Sequence, residues 1–210
     1  MEIYHNVNGI SVSEYRSSNI FILHDILNEE ECNKFKLFID SMDDFKEKRT
    51  ICQGNNVECY SVHMDNLKKN PGVIINIPLL KIVTEYDKKM FDIIHQTLET
   101  LKHINPYLKC DADSGYELRK VFGKTKLHID SIKSSNGGYV GFVRCMSIII
   151  ALNDNFTGGE YNFPYHNIRV KIKQGSIIVF PPYWTHPHEV TSIGKNQLRY
   201  TISTWVLENF

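Results

Sequence analysis

The apolar positions along the chain change their period near Pro106. Before it, Ile20–Ile26 is an apolar run of strand length. It is followed by Asn28-Glu-Glu-Glu31, an N-cap residue with an acidic residue three places on, which opens a helix reaching about Met42. Residues 43–76 are polar, with Gly54-Asn55-Asn56 and Asn70-Pro71-Gly72 as turn signals, and predict short strands and long loops. Asn76 and Pro78 start the longest helical stretch. Leu80, Val83, Tyr86, Met90, Ile94, Leu98 and Leu101 recur on one of its faces every three or four residues. After Pro106 the pattern becomes alternating or β-branched over Glu117–Phe122, Val140–Leu152, Ile168–Lys173, Ser176–Phe180 and Leu198–Leu207, with Gly-rich turns between. Helices first and about eight strands later predict an α+β fold, with an antiparallel sandwich or jelly roll packed against the helices.

Composition narrows the class. The chain has 210 residues, of which 42% are hydrophobic and 23% charged, the profile of one globular domain with ample core. Lys plus Arg equals Asp plus Glu at 24 each, so no global field recruits nucleic acid or an anionic membrane. No apolar run approaches the roughly 18–20 residues that span a bilayer. The first sixteen residues have neither a basic start nor an apolar signal core. Five cysteines without a C-x-x-C pair read as reduced thiols, which predicts a cytoplasmic protein.

Among the nine histidines, one arrangement carries chemistry. His128-Ile129-Asp130 ends a strand, where residues i and i+2 project from one face, so an imidazole and a carboxylate reach the same point. A further histidine near His186-Pro187-His188 would complete two His and one carboxylate, which leaves three positions of a non-haem Fe(II) open. A bidentate 2-oxo acid and O₂ require those three. His188 opens a strand and is preferred over His186, which sits in the Pro181-Pro182 turn region and precedes a proline. His63-Met64-Asp65 repeats the H-x-D spacing in a polar stretch with no sheet pattern and serves as an internal control. His166 is expected at the surface in a hairpin turn. A dicarboxylate cosubstrate also needs a buried cation. Arg199 offers two parallel donors, and Thr201, two residues on and on the same face, can add a hydroxyl. Lys195, in the Gly194-Lys195-Asn196 turn, is the nearest rival. Gly158-Gly159 predicts a turn with no chemistry. Tyr183 and Trp184 are candidates for the substrate entrance, and residues 50–75 and 131–140 for a lid.

The run Arg144–Glu160, with its Ser-Ile-Ile-Ile-Ala-Leu-Asn-Asp core and Gly158-Gly159-Glu160 end, resembles a segment of the prolyl 4-hydroxylase-type Fe(II)/2-oxoglutarate dioxygenases. Gly175–Phe180, His188-Glu-Val190 and Arg199–Trp205 are similar to the strands that follow it in that family. The likeness spans about residues 115–207 and, more loosely, 20–42. It implies one dioxygenase domain over 1–210, with 1–110 as helical and loop support and 111–210 as most of a double-stranded β-helix. It also implies Fe(II) on His128, Asp130 and His188, the distal carboxylate of 2-oxoglutarate on Arg199, O₂ as oxidant and ascorbate as a reductant. Ala151 stands where some relatives carry a cosubstrate-binding tyrosine. The expected reaction is hydroxylation of a C–H bond, with a peptidyl proline as the leading substrate. A free amino acid, another small molecule or a nucleobase is the alternative. Nucleobase repair is disfavoured because no basic track follows the chain. Rival classes are a cupin-like binding domain and a hydrolase using another metal.

Overall fold

The computed structural model describes residues 2–15, 18–50, 57–110, 112–131 and 141–209. The chain opens with a hairpin that the apolar pattern does not predict, β1 (Glu2–Val7) and β2 (Ile10–Tyr15). Its turn is Asn8-Gly9, with φ of 51° and 87°. Two positive φ values match the right-handed strand twist, and Asn-Gly adopts them at least cost. β3 (Ile20–Leu23) follows, then α1 (Glu29–Ser41). Asn28 caps α1 reciprocally: Glu31 N–H donates to Asn28 Oδ1 at 2.9 Å, and Asn28 N–H donates to Glu31 Oε2 at 3.0 Å.

The stretch expected to be short strands and long loops holds the strands β4 (Glu47–Thr50) and β5 (Val57–His63), but α2 (Met64–Lys69) and α3 (Pro71–Ile74) stand where loop was expected. Asn70-Pro71-Gly72 is a helix start and not a free turn. Asn70 Oδ1 accepts from Gly72 N–H at 2.9 Å, and Pro71 occupies the first helical position, where its missing N–H costs nothing. The lid expected over 50–75 is therefore corrected for 57–74. Residues 51–56 and 132–140 lie outside the described residues. α4 (Ile77–Ile104) is the long helix, capped by Asn76. Val83, Met90, Ile94 and Leu101 of its stripe are buried, while Leu80, Tyr86 and Leu98 pack partly buried against the same core. Among the described residues, no helix is long and apolar enough to cross a membrane. Among the described residues, Cys32, Cys59, Cys110 and Cys145 form no disulfide, and Cys52 lies outside the described residues.

The remaining strands are β6 (Ala112–Asp113), β7 (Glu117–Gly123), β8 (Thr125–His128), β9 (Phe142–Ala151) and β10 (Tyr161–Phe163). After them come β11 (Ile168–Val170), β12 (Ile177–Phe180), β13 (His188–Val190) and β14 (Arg199–Asn209). They form two antiparallel sheets. The larger runs β1-β2-β3-β12-β9-β14-β7-β5-β4, with β6 also on β14, and the smaller runs β11-β10-β13-β8.

Alternation along the central strands explains the layers. Ile148 and Ile150 of β9 and Ile177 and Val179 of β12 join the core beneath the helices. Their neighbours Ile149, Ala151, Ile178 and Phe180 face the small sheet and pack with Tyr161, Phe163 and Val190. A strand buried on both faces reads as a continuous apolar run, which accounts for Ile148-Ile149-Ile150. β14 departs from this on one side. Ile202 and Val206 enter the helix-side core, but Arg199, Thr201, Ser203 and Trp205 point between the sheets. Polar groups buried there need partners, and their position marks the site.

Candidate functional site

Strand register brings the chelating groups together. β13 pairs with β8 so that His188 lies opposite His128. Asp130 lies two residues beyond the end of β8, and the turn is pinned because Asp130 and Ser131 N–H both donate to Pro182 O, at 3.1 and 2.9 Å. One ligand atom from each of His128, Asp130 and His188 lies within 4.8 Å of the other two.

Hydrogen bonding behind the two rings sets their tautomers. His128 Nδ1 lies 2.8 Å from Lys126 O, and His188 Nδ1 lies 3.1 Å from His186 O. A carbonyl can only accept, so each Nδ1 carries the proton and each Nε2 turns a lone pair inward. His128 Nε2 then stands 3.2 Å from Asp130 Oδ1, and His188 Nε2 stands 3.9 Å from Oδ2. Lone pairs facing a carboxylate at this range repel unless a cation sits among them, so the donor set fits a divalent metal.

Asp130 is itself oriented. Its Oδ2 accepts the Ser147 hydroxyl at 2.7 Å, and its carbonyl accepts Arg144 Nη1 at 2.7 Å. Burial pushes the Asp130 carboxyl up. Hydrogen bonding to His128 and the charges of the two rings, in their protonated form, together with the Ser147 hydroxyl outweigh that and hold it well below the usual carboxylate range; with the rings neutral, a cation among the donors takes over that part. Burial lowers His188 to about 4, so its ring is neutral near pH 7.

That shift gives a pH signature. With its metal stripped, the protein should lose stability as the pH falls from about 6.5 to about 4. Over this window the unfolded His188, at its ordinary 6.5, takes up a proton that the folded ring refuses. The loss from this one group is roughly 3 kcal/mol at about 1.36 kcal/mol per unit. His186, also lowered by burial, adds to the same slope, whereas Asp130 acts only below its ordinary 3.8. Urea midpoints across the window should fall less steeply in His188→Asn. An equal slope in both proteins would exclude a buried neutral His188.

The other histidines point elsewhere. His186 Nε2 lies 2.5 Å from Ser18 O, its Nδ1 pairs with the Thr185 hydroxyl at 2.8 Å, and its ring stacks on His166 with centroids 4.3 Å apart. It lines a second, larger cavity of about 470 Å³. His166 lines that cavity too, from a short 3₁₀ turn, with Nε2 3.0 Å from Thr185 O, so it is no bare surface residue. His63 ends β5 and caps α2, which corrects the expectation of no sheet around it, and Asp65 pairs with Lys68 at 2.9 Å. No third metal-ligating group joins His63 and Asp65 among the described residues.

The cavity between the sheets, about 120 Å³, is lined by the three chelating residues together with Arg199 and Thr201. Arg199 is 7% exposed, and its Nε and Nη1 have no hydrogen-bond partner among the described residues. A buried guanidinium with unpartnered donors fits an anionic ligand. Lys195 is exposed and does not line this cavity. Trp184 is 74% exposed and lines neither cavity, and Tyr183 lines the larger one, so neither of this pair lines the cavity that holds the chelating residues.

Four lining or orienting residues went unnoticed in the sequence. Ser147 and Tyr161 lie in strands whose local pattern is apolar. Arg119 projects inward from β7, ion-pairs with Glu117 and donates through Nη1 to Ser203 Oγ at 3.3 Å. Arg144 lays its guanidinium over the Trp205 ring at 3.7 Å. The signal for Arg119 was the polar alternation Glu117-Leu118-Arg119 in a strand read only as alternating or β-branched.

Residues 116–207, which carry the whole site, match the model of the 2OG-Fe(II) oxygenase superfamily. The family works with Fe(II), 2-oxoglutarate and O₂. Among solved structures, the chain is similar to a viral collagen prolyl hydroxylase of Paramecium bursaria Chlorella virus-1 in complex with 2OG. The TM-score is 0.60 at 15% identity, over 92% of this chain and 98% of that one. A Pseudomonas putida prolyl-4-hydroxylase aligns with a TM-score of 0.59 at 15% identity, over 92% and 95%. A Trichoplax adhaerens prolyl hydroxylase, solved with a hypoxia inducible factor oxygen degradation domain peptide fragment, gives 0.57 at 17%, over 90% and 84%. At these identities the likeness establishes the fold. No curated protein matches the chain in sequence.

Proposed function

We propose that this protein is an Fe(II)- and 2-oxoglutarate-dependent dioxygenase that hydroxylates a C–H bond of a peptidyl proline. His128, Asp130 and His188 hold the metal, and Arg199 with Thr201 holds the distal carboxylate of 2-oxoglutarate. The observation that carries the reading is a single cavity containing two inward imidazole lone pairs, one ionised carboxylate and a buried guanidinium with unpartnered donors. When bound, Fe(II) supplies O₂ activation coupled to decarboxylation of 2-oxoglutarate to succinate.

The chain's own residues do the rest. Lys126 and His186 carbonyls keep each Nε2 free to ligate, Ser147 turns the Asp130 carboxylate, and Ile149 and Val190 line the cavity with apolar surface. Strands β7–β14 in two facing sheets read as the double-stranded β-helix of the family, with the N-terminal helices packed outside as one domain. The prolyl hydroxylases among the structural neighbours support a proline-containing peptide as substrate. Ascorbate is the expected reductant, and five cysteines without a C-x-x-C pair fit a cytoplasmic setting.

The experiment combines anaerobic Fe(II) and 2-oxoglutarate, then admits O₂ in the presence of proline peptides. A visible charge-transfer absorption, succinate, and one added oxygen on the peptide are the expected results. Succinate without peptide oxidation would shift the substrate to a small molecule. Neither absorption nor succinate would leave a cupin-like binding domain, and peptide hydrolysis without O₂ would point to a different metal chemistry.

A further inference from the structure

Tyr161 opens β10 and lies in register with Val190 of β13, two residues beyond His188. It is 5% exposed and lines the same cavity as the three chelating residues. Its ring centroid is 5.5 Å from the Arg199 guanidinium carbon. Its hydroxyl has no hydrogen-bond partner among the described residues. The Arg199 guanidinium, with Nε and Nη1 buried and unpartnered, and the Tyr161 phenol thus share one small space, and leaving the guanidinium donors unsatisfied is costly. A carboxylate, with two oxygens and about four lone-pair sites, can satisfy both at once.

Burial raises the phenol above its ordinary value, and the nearby Arg199 and Arg119 charges do not reverse this, so the hydroxyl remains a donor. The ring also has a steric role. Ala151 of β9 packs in the same intersheet cluster, so a small side chain on one sheet leaves room for a large one on the other.

We propose that Tyr161 donates its phenolic O–H to the distal carboxylate of the 2-oxo acid beside Arg199, and that its ring sets the length of dicarboxylate the cavity accepts. This rests on the function proposed above. Tyr161 is therefore a cosubstrate-binding residue, and it supplies from the small sheet a hydroxyl that Ala151 cannot supply from the large one.

The test titrates anaerobic Fe(II)-loaded protein with 2-oxoglutarate and with 2-oxoadipate, one methylene longer, following the visible charge-transfer absorption. Tyr161→Phe should bind 2-oxoglutarate about tenfold to a hundredfold more weakly, the loss of one hydrogen bond to a charged group. Its iron content and urea midpoint should stay near wild type. Tyr161→Ala should shift the ratio of affinities toward 2-oxoadipate by at least about tenfold, the usual discrimination of one methylene. Tyr161→Leu serves the same purpose if the alanine variant does not fold. Unchanged 2-oxoglutarate affinity in Tyr161→Phe would overturn the hydrogen bond. An unchanged ratio in the size variants would overturn the length limit. Wild-type protein that binds Fe(II) but gives no absorption with either acid would instead overturn the functional reading, and this inference with it.

Discussion

Replacing Arg199 by Ala is expected to raise the 2-oxoglutarate concentration for half-saturation at least about a hundredfold while leaving iron content near wild type. The metal can chelate the 2-oxo acid end of many compounds, so discrimination must come from the far carboxylate. Among the described residues, Arg199 lacks partners at both Nε and Nη1, whereas Arg119 lacks one only at Nε and is ion-paired to Glu117. Charge-assisted bonds are worth roughly 1.5–3 kcal/mol each, and a guanidinium offers a carboxylate two in parallel. Losing the pair exceeds one such bond, and about 2.7 kcal/mol already corresponds to a hundredfold at about 1.36 kcal/mol per decade. Arg199→Lys should restore part of the loss, because an ammonium keeps the charge but not the fork. Succinate production against 2-oxoglutarate concentration distinguishes these proteins, with exposed Lys195→Ala as the control. Wild-type half-saturation in Arg199→Ala, or a large rise in Lys195→Ala, would remove Arg199 from this role.

The chemistry of this site was legible where a local pattern and a strand pairing coincide. Arg199 and Thr201 stand two apart in a long alternating strand, and alternation alone puts them on one face between the sheets. His128 and Asp130 meet for a reason only half visible in their spacing. β8 ends at His128, and Asp130 is brought back by a turn held to Pro182, a contact across more than fifty residues. Preferring His188 to His186 needed only the strand that begins at His188, and the structure groups that residue with His128 and Asp130. Tyr161 and Ser147 could not be read in advance. Each sits in a locally apolar strand, and what brings it to the cavity is a pairing or a facing sheet remote in sequence. The missed elements have another cause. α2 and α3 are too short for a periodic stripe, and their turn-like Asn70-Pro71-Gly72 serves equally well as a helix cap. The Asn8-Gly9 hairpin carried a clear signal that the weak apolar pattern of its strands obscured.

Removal of any one chelating residue should abolish turnover, and Asp130→Ala should have the largest effect on the metal itself. In the proposed site both imidazoles would ligate as neutral groups, which makes Asp130 the triad's only anion and the main partner for a divalent charge. Losing an outer-sphere partner typically costs ten- to a hundredfold in metal affinity, so losing a ligand should exceed about a hundredfold. Ser147→Ala, which only frees the carboxylate to rotate, should fall in that smaller range. His128→Ala and His188→Ala should each leave two ligands, too few to retain Fe(II) through gel filtration. His186→Ala, His63→Ala and Asp65→Ala should retain most of it, because His186 bonds to Ser18 on the far side and the other two lie at the cap of α2. Iron per protein chain after anaerobic loading and desalting measures all seven variants on one scale. Urea midpoints of the metal-free proteins separate ligand loss from unfolding. If folded His188→Ala keeps its iron while His186→Ala loses it, the third ligand is His186 and the Nδ1-to-carbonyl argument for the His188 tautomer is wrong.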